Sequence, residues 1–329
     1  MRSGPVSEIG ERPLIGLLTG IFNKNRDSHL IVAPGHDDCA VLEISEDEYL
    51  VVTTDMLHRK TDFPQQMTGW QIGWMSAAVN LSDIASMGAA PAGFLSAIGL
   101  PRDTDVGFVE DIARGMADCA KACGTSVIGG DIDTHDELTI TGTALGIVRK
   151  EELLTRRGAR VGDKVCVTGF TGSAGAALHA IEHEIQVPDR LINALLEPYP
   201  RIAEGRELAR SGLVTSMMDT SDGLALSLHD LADLNKVGFR IHESALPVHD
   251  DVRKYVTSDP DKLTDLALYT GGDFELVFTA APDILNEVFK GFNLSIIGEV
   301  VEQSVGMLIE HKDGSNLSIN RKGYLQLGN

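Results

Sequence analysis

The aspartates of this sequence gather where helices and strands have no use for them. Asp37 and Asp38 lie in a Gly-His-Asp-Asp turn before an apolar strand, and Asp55 follows Thr53 and Thr54. Asp83 comes one helical turn after Asn80 in Asn-Leu-Ser-Asp, and Asp131 follows Ile128-Gly129-Gly130. Asp219 and Asp222 bracket Thr220-Ser221, and Asp273 follows Gly271-Gly272. One such residue is an ordinary turn aspartate, and Asp222 alone reads as the N-cap of a helix starting near Gly223. Repetition of the pattern, a carboxylate at an element end beside Gly, Ser or Thr, points to ends converging at one edge of a sheet. Converged carboxylates repel unless cations neutralise them. Oxygen ligands suit hard cations, and Mg²⁺ typically takes one or two carboxylates plus substrate phosphates. The chemistry indicated is nucleotide-dependent phosphoryl transfer through Mg²⁺.

The elements that must carry these residues follow from periodicity. Residues 10–24 read as an amphipathic helix with Leu14, Ile15, Leu17, Leu18, Ile21 and Phe22 on its apolar face. Strands are expected at 39–44, at 49–54 ending in Asp55, at 94–99, at 125–129 and at 138–148, with helices at 68–88 and 103–123. A charged connector, Leu-Thr-Arg-Arg-Gly-Ala-Arg-Val-Gly-Asp, follows residue 150, and the domain boundary is placed there. The second half reads as strands 164–168, 213–218, 274–279 and 294–299. Its helices are expected at 173–185, 201–211, 222–235 and 283–290. Alternation of strands and helices gives an α/β (α+β) fold of two lobes, residues 1–150 and 151–329.

Competing motifs are weaker. Gly169-Phe-Thr-Gly172-Ser-Ala-Gly175 follows a strand and opens a helix, but its spacing is G-x-x-G-x-x-G, and no acid-bearing second strand follows for a dinucleotide site. No G-x-x-x-x-G-K-[ST] and no G-x-S-x-G is present. His179-Ala-Ile-Glu182-His183 matches a zinc pattern. With Leu178, Ile181 and Ile185 taken as the buried face, however, those ligands belong to a solvated one.

Composition narrows the rest. The 329 residues contain 48 Asp plus Glu against 28 Lys plus Arg, a net charge of −20, which argues against nucleic acid and anionic membrane as partners. Four cysteines without a C-x-x-C form no disulfide framework, and Cys119 and Cys123 read as small buried apolar residues. The N-terminus does not read as a secretory signal, and no apolar run reaches the ~20 residues of a membrane helix. A cytoplasmic location is expected.

With these residues in hand, the chain resembles the thiamine-monophosphate kinases, which share a superfamily with aminoimidazole ribonucleotide synthetase, selenophosphate synthetase and a hydrogenase maturation protein. The resemblance runs in order through Asp37-Asp38-Cys-Ala-Val-Leu, Thr53-Thr54-Asp55-Met-Leu and Asn80-Leu-Ser-Asp83-Ile-Ala-Ser-Met-Gly-Ala. It continues through Ile128-Gly-Gly-Asp131, Leu154-Thr-Arg156, Asp219-Thr-Ser221-Asp222-Gly-Leu and Gly-Asp273-Phe-Glu275-Leu. It implies a homodimer formed through the N-terminal lobes, with ATP near that interface. It implies Mg²⁺ at Asp38, Thr53, Thr54, Asp55, Asp83, Asp131, Asp219 and Asp222, and ATP at Gly130, Asp131, Arg156 and Ser221. Asp62, Gly272, Asp273 and Tyr324 fall on the acceptor side. The implied reaction passes the γ-phosphoryl of ATP directly to the phosphate of thiamine monophosphate.

The departures from the family's pattern concentrate on the acceptor side. His36 replaces a Gly, Thr61-Asp62-Phe63 replaces a segment ending His-Phe, and Gly272 stands where the family has Glu. Asp133 sits in a segment that is usually Asp-Thr-Thr, and Tyr324-Leu325-Gln326-Leu327 replaces Tyr-Asp-His-Phe. Two alternatives therefore stand beside the kinase: an ATP-dependent enzyme acting on another small molecule, and a non-catalytic nucleotide-binding regulator.

Overall fold

The computed structural model describes residues 5–25, 27–256, 260–282 and 291–326. Strands β1 (Leu30–Val32), β2 (Ala40–Glu43), β3 (Glu48–His58), β4 (Ala90–Leu100), β5 (Val127–Thr134) and β6 (Thr139–Arg149) form one sheet in the order β1-β2-β3-β6-β4-β5. β4 and β5 run parallel and the other pairs antiparallel. Helices α2 (Gly69–Ser86) and α3 (Val106–Ala122) cover one face. They cross closely because Gly73 and Gly115 lack side chains: a Cβ at either would sit 1.9 Å from a carbonyl oxygen, Ile112 O or Trp70 O.

The second sheet takes its strands from residue 164 onward. These are β7 (Lys164–Thr168), β8 (Val214–Asp219), β9 (Val237–His242), β10 (Leu276–Ala280), β11 (Leu294–Glu302), β12 (Met307–Glu310) and β13 (Asn316–Ser318), in the order β13-β12-β9-β11-β7-β10-β8. Helices α4 (Ser173–Glu182), α5 (Asp189–Leu196), α6 (Ile202–Ser211) and α7 (Leu224–Asn235) pack with it. Helix α2 joins the two halves. It is buried along most of its length between α3, the first sheet, α6 and β8, which is why its apolar residues run all round it instead of forming one stripe.

Several sequence expectations shift. β3 pairs with β6 residue for residue from Glu48–Arg149 to His58–Thr139, so Asp55 lies inside a strand and not at its end. Likewise β5 runs to Thr134 and carries Asp131 in its interior. Long pairing with a neighbour outweighs the poor strand propensity of a single aspartate. β4 begins at Ala90, four residues before its expected start, and β1, β9, β12, β13 and α5 were not expected at all. The expected helix 283–290 lies outside the described residues, as does Leu327.

Helix α1 (Glu11–Phe22) forms as expected but buries none of its residues; Ile15, Leu17, Leu18, Ile21 and Phe22 are 41–58 % exposed. On α4 the buried face is Ala174, Ala176, Ala177 and Ala180; Leu178, and Ile185 beyond the helix end, are exposed against expectation, while Glu182 and His183 are exposed as expected. His179 is nevertheless committed elsewhere: Nδ1 contacts the Tyr255 hydroxyl, and Nε2 accepts from Lys262 Nζ at 2.7 Å. Neither nitrogen is left for zinc. The four cysteines are buried and unlinked.

Candidate active site

Strand alternation places Thr53 and Asp55 on the face of β3 that meets α2, and Thr54 and Met56 on the other. Thr53 Oγ1 donates to Asp83 Oδ2 at 2.6 Å, and the Asp55 amide donates to Asn80 Oδ1 at 3.0 Å. Thr54 Oγ1 instead donates to the Gly142 carbonyl at 2.7 Å, so its hydroxyl is turned away from these carboxylates. Asp38 arrives from the loop before β2 and accepts from Ser86 Oγ at 2.6 Å. Asp219, the last residue of β8, arrives from the second lobe. It accepts from Ser82 Oγ at 2.6 Å and Ser221 Oγ at 2.8 Å. Carboxylate oxygens of Asp38, Asp83 and Asp219 all lie within 4.8 Å of one another.

Crowding shows in the acidities. Burial, then Asp55 and Asp219, pushes Asp83 well above the usual carboxylate range. Burial and neighbouring carboxylates push Asp55 and Asp219 up to about 6. Asp37 and Asp222 rise to about 7, again through burial first. Arg156 is the facing cation: its guanidinium contacts Asp38 Oδ1 through Nε at 2.9 Å and through Nη2. Burial works against that charge, yet Asp38 and Asp37 hold its pKa above the ordinary value. An all-oxygen set with surplus negative charge fits a hard divalent cation better than a soft metal.

A cleft of about 650 Å³ opens beside the cluster, lined by α1, the Gly35–Asp37 turn, Arg156, Ser221, Asp222 and Asp230. Its roof is α1, tied to the second lobe by Arg12, whose Nη2 donates to Asp230 Oδ2 at 2.8 Å. His36 lines the same cleft. A smaller cavity of about 230 Å³ lies beyond Asp273, but its arginines are spent on carboxylates, Arg190 on Asp251 and Arg201 on Glu275.

Two of the residues expected on the acceptor side, Gly272 and Tyr324, meet the Ser221–Asp222 backbone. The Gly272 amide donates to the Ser221 carbonyl at 2.8 Å, and the Tyr324 amide to the Asp222 carbonyl at 2.9 Å. Gly272 has φ +94°, a conformation that a side-chain-bearing residue adopts only with strain. Asp62 Oδ1 accepts from Gln326 Nε2 at 2.7 Å and the Tyr324 hydroxyl at 3.4 Å, and the Gln326 amide donates to Glu11 Oε2 at 2.7 Å. Burial and Asp62 push the Tyr324 phenol up to about 12. Asp273 is placed differently from expectation. Its carboxylate accepts from the Gly172 and Ala174 amides at 2.6 and 2.8 Å, capping α4 from another element. The glycine loop 169–175 is thus an anion-binding helix start whose anion is the protein's own Asp273.

Two family models cover most of the chain: AIR synthase related protein, N-terminal domain, matches residues 36–148, and the C-terminal domain matches 160–309. The thiamine-monophosphate kinase of Methanospirillum hungatei is 43 % identical over 291 residues, 88 % of this chain and 92 % of that one. The chain belongs to the thiamine-monophosphate kinase family. The Escherichia coli K12 member is 33 % identical over 320 residues, 94 % of this chain and 96 % of that protein. Among solved family structures, AaThiL complexed with AMPPCP and TMP superposes with a TM-score of 0.86 at 26 % identity, covering 99 % of this chain and 100 % of that one.

Of the positions that the family resemblance assigned to metal, the fold gathers Asp38, Thr53, Asp55, Asp83 and Asp219, with Asp222 at the mouth of the cleft. It turns the Thr54 hydroxyl away and separates Asp131 from them, together with Gly130, which was expected at ATP only. Register aligns Asp131 with Ala97, Thr141 and Met56 on the exposed face of the sheet. Sequence reasoning gave no role to Ser82, Ser86, Arg12 or Gln326. The available signal was Ser82 and Ser86 flanking Asp83 at a spacing of four in a helix of mostly small and apolar residues.

Proposed function

We propose that this chain is an ATP- and Mg²⁺-dependent kinase that transfers the γ-phosphoryl of ATP to the phosphate of thiamine monophosphate, giving thiamine diphosphate and ADP. The observation that carries this reading is the convergence of Asp38, Asp83 and Asp219 beside a cleft large enough for a nucleotide. Family membership supports it, as does a relative solved with a nucleotide analogue and TMP together.

Asp38, Asp55, Asp83, Asp219 and Asp222 would hold Mg²⁺, with Thr53 supporting Asp83. The bound cation supplies neutralisation of charge on the phosphoryl oxygens. Arg156 and Ser221 face the nucleotide from the cleft wall. Asp62, Gly272 and Tyr324 border the acceptor, whose phosphate oxygen attacks the γ-phosphorus as the bond to ADP breaks. That oxygen is already anionic at neutral pH, so positioning suffices and no general base is required.

Residues 1–150 are read as the ATP- and Mg²⁺-binding lobe and 151–329 as the lobe completing the site. A homodimer is part of the same reading. Met56, Ala97 and the exposed Asp131 lie in one cross-sheet row on an uncovered face, and a second copy laid on it would bring Asp131 and Gly130 near a nucleotide. Among the described residues no helix is long and apolar enough to cross a membrane; a cytoplasmic enzyme accords with that.

The acceptor side favours one second reading, a different small-molecule acceptor. Gly272 offers no side chain there, and Asp62 is engaged by Gln326. Incubation with ATP, Mg²⁺ and thiamine monophosphate decides between them. Thiamine diphosphate formed at several turnovers per minute or faster sustains the first reading. ATP binding without that product removes it.

A further inference from the structure

Ser82 is buried in the middle of α2, where a serine commonly returns its hydroxyl to the carbonyl four residues back. Ser76 does so, donating to Ile72 O at 2.7 Å. Ser82 turns outward instead and donates to Asp219 Oδ2 at 2.6 Å, across the junction between the two lobes. Four residues on, Ser86 donates to Asp38 Oδ2 at 2.6 Å, and Thr53 donates to Asp83 Oδ2 at 2.6 Å. Each carboxylate of the cluster thus takes one proton-bearing hydroxyl from a neutral side chain of the first lobe.

The geometry points to Ser82 as a positioning residue for the cation site: it aims the Asp219 carboxylate, which the second lobe delivers, at Asp38 and Asp83 before a cation arrives. This rests on the reading of those three aspartates as Mg²⁺ ligands. A hydroxyl suits the task because it favours the ionised carboxylate without adding a positive charge that competes with the metal. Without it, Asp219 keeps its bonds from Ser221 but loses the link that fixes it relative to α2.

Mn²⁺ binding to the full-length, nucleotide-free protein, followed by the electron paramagnetic resonance of free Mn²⁺, tests the assignment without any turnover. Ser82→Ala is expected to weaken Mn²⁺ binding ~10–100-fold, while its melting temperature moves no further than that of Ser76→Ala. Ser76→Ala removes a buried α2 hydroxyl bonded only within the helix, so its Mn²⁺ affinity should not move. Ser82→Thr, which retains the hydroxyl, should recover most of the affinity. Should the alanine variant fail to fold, Ser82→Cys keeps the volume with a weak donor and should show the same loss. Mn²⁺ affinity in Ser82→Ala or Ser82→Cys within twofold of wild type overturns the proposal. Wild-type protein that binds no Mn²⁺ overturns the underlying metal reading, and the role of Ser82 with it.

Discussion

Arg156 reaches back across the chain to Asp38, with its Nε 2.9 Å from Oδ1, while its own amide donates to Asp37 Oδ2 at 3.0 Å. One residue of the connector between the two sheets therefore neutralises part of a carboxylate cluster built in the first lobe. It also lines the cleft in which a nucleotide would lie. Arg156 is the fixed positive charge of the site, and a divalent cation would be the exchangeable one.

Replacing that fixed charge should expose the repulsion it offsets. Arg156→Ala leaves buried carboxylates unpaired and is expected to cost about 3–5 kcal/mol of stability in metal-free buffer. Millimolar Mg²⁺ should restore part of the loss, and the KM for ATP should rise at least tenfold. Denaturant titration with and without Mg²⁺ checks the first two effects, and steady-state kinetics checks the third.

Asp222 stands at the mouth of the cleft, next to Ser221 and the Thr270–Asp273 loop. Asp222→Asn keeps the shape and removes the charge. If a metal contact here contributes several kcal/mol to the transition state, turnover should fall ~10²–10³-fold. The melting temperature in metal-free buffer should hold or rise, since a costly buried charge is gone. Turnover within threefold of wild type would remove Asp222 from the metal set.

Stability of the metal-free protein should depend on pH in an unusual direction. Asp55 and Asp219 sit at about 6 and Asp37 and Asp222 at about 7, all above their unfolded values near 4. The folded state therefore binds more protons than the unfolded one. The contribution of these groups is fully present below about pH 4 and is lost as pH rises through about 6 to 7. Thermal melts should show metal-free stability falling between pH 5.5 and 8, and added Mg²⁺ should flatten that slope by binding the ionised form. A metal-free melting temperature that climbs over this range would contradict the crowding of these carboxylates.

Asp62, Tyr324 and Gln326 join the loop after β3 to the C-terminal segment. Asp62→Ala removes those bonds, none of which involves Arg156 or Ser221 of the cleft wall. The KM for the acceptor should rise about tenfold, the effect of one or two hydrogen bonds, while the KM for ATP stays within twofold. Equal effects on both substrates would place Asp62 outside the acceptor side.

The aspartates were legible in the sequence because a carboxylate beside Gly, Ser or Thr is a local signal. Their geometry was less so. Local sequence places Asp55 and Asp131 at strand ends, whereas both lie inside long strands whose pairing depends on partners far away in sequence. Thr53 and Thr54 look equivalent in the sequence, but alternation sends one hydroxyl to Asp83 and the other to the Gly142 carbonyl. Asp273 sits in a motif that suggests a ligand, and only the tertiary fold shows its oxygens spent on the Gly172 and Ala174 amides. The stripe on α1 was visible as apolar residues, but not its exposure, since periodicity marks an apolar face without saying what covers it.

The most direct test of the kinase reading follows the phosphoryl group itself. With ATP labelled at its γ-phosphate, Mg²⁺, thiamine monophosphate and excess enzyme in a single turnover, the label should move to the terminal phosphate of thiamine diphosphate. ADP should form in equal amount, with no labelled free phosphate beyond background. Label that remains in ATP, or appears only as inorganic phosphate, would contradict direct transfer to thiamine monophosphate.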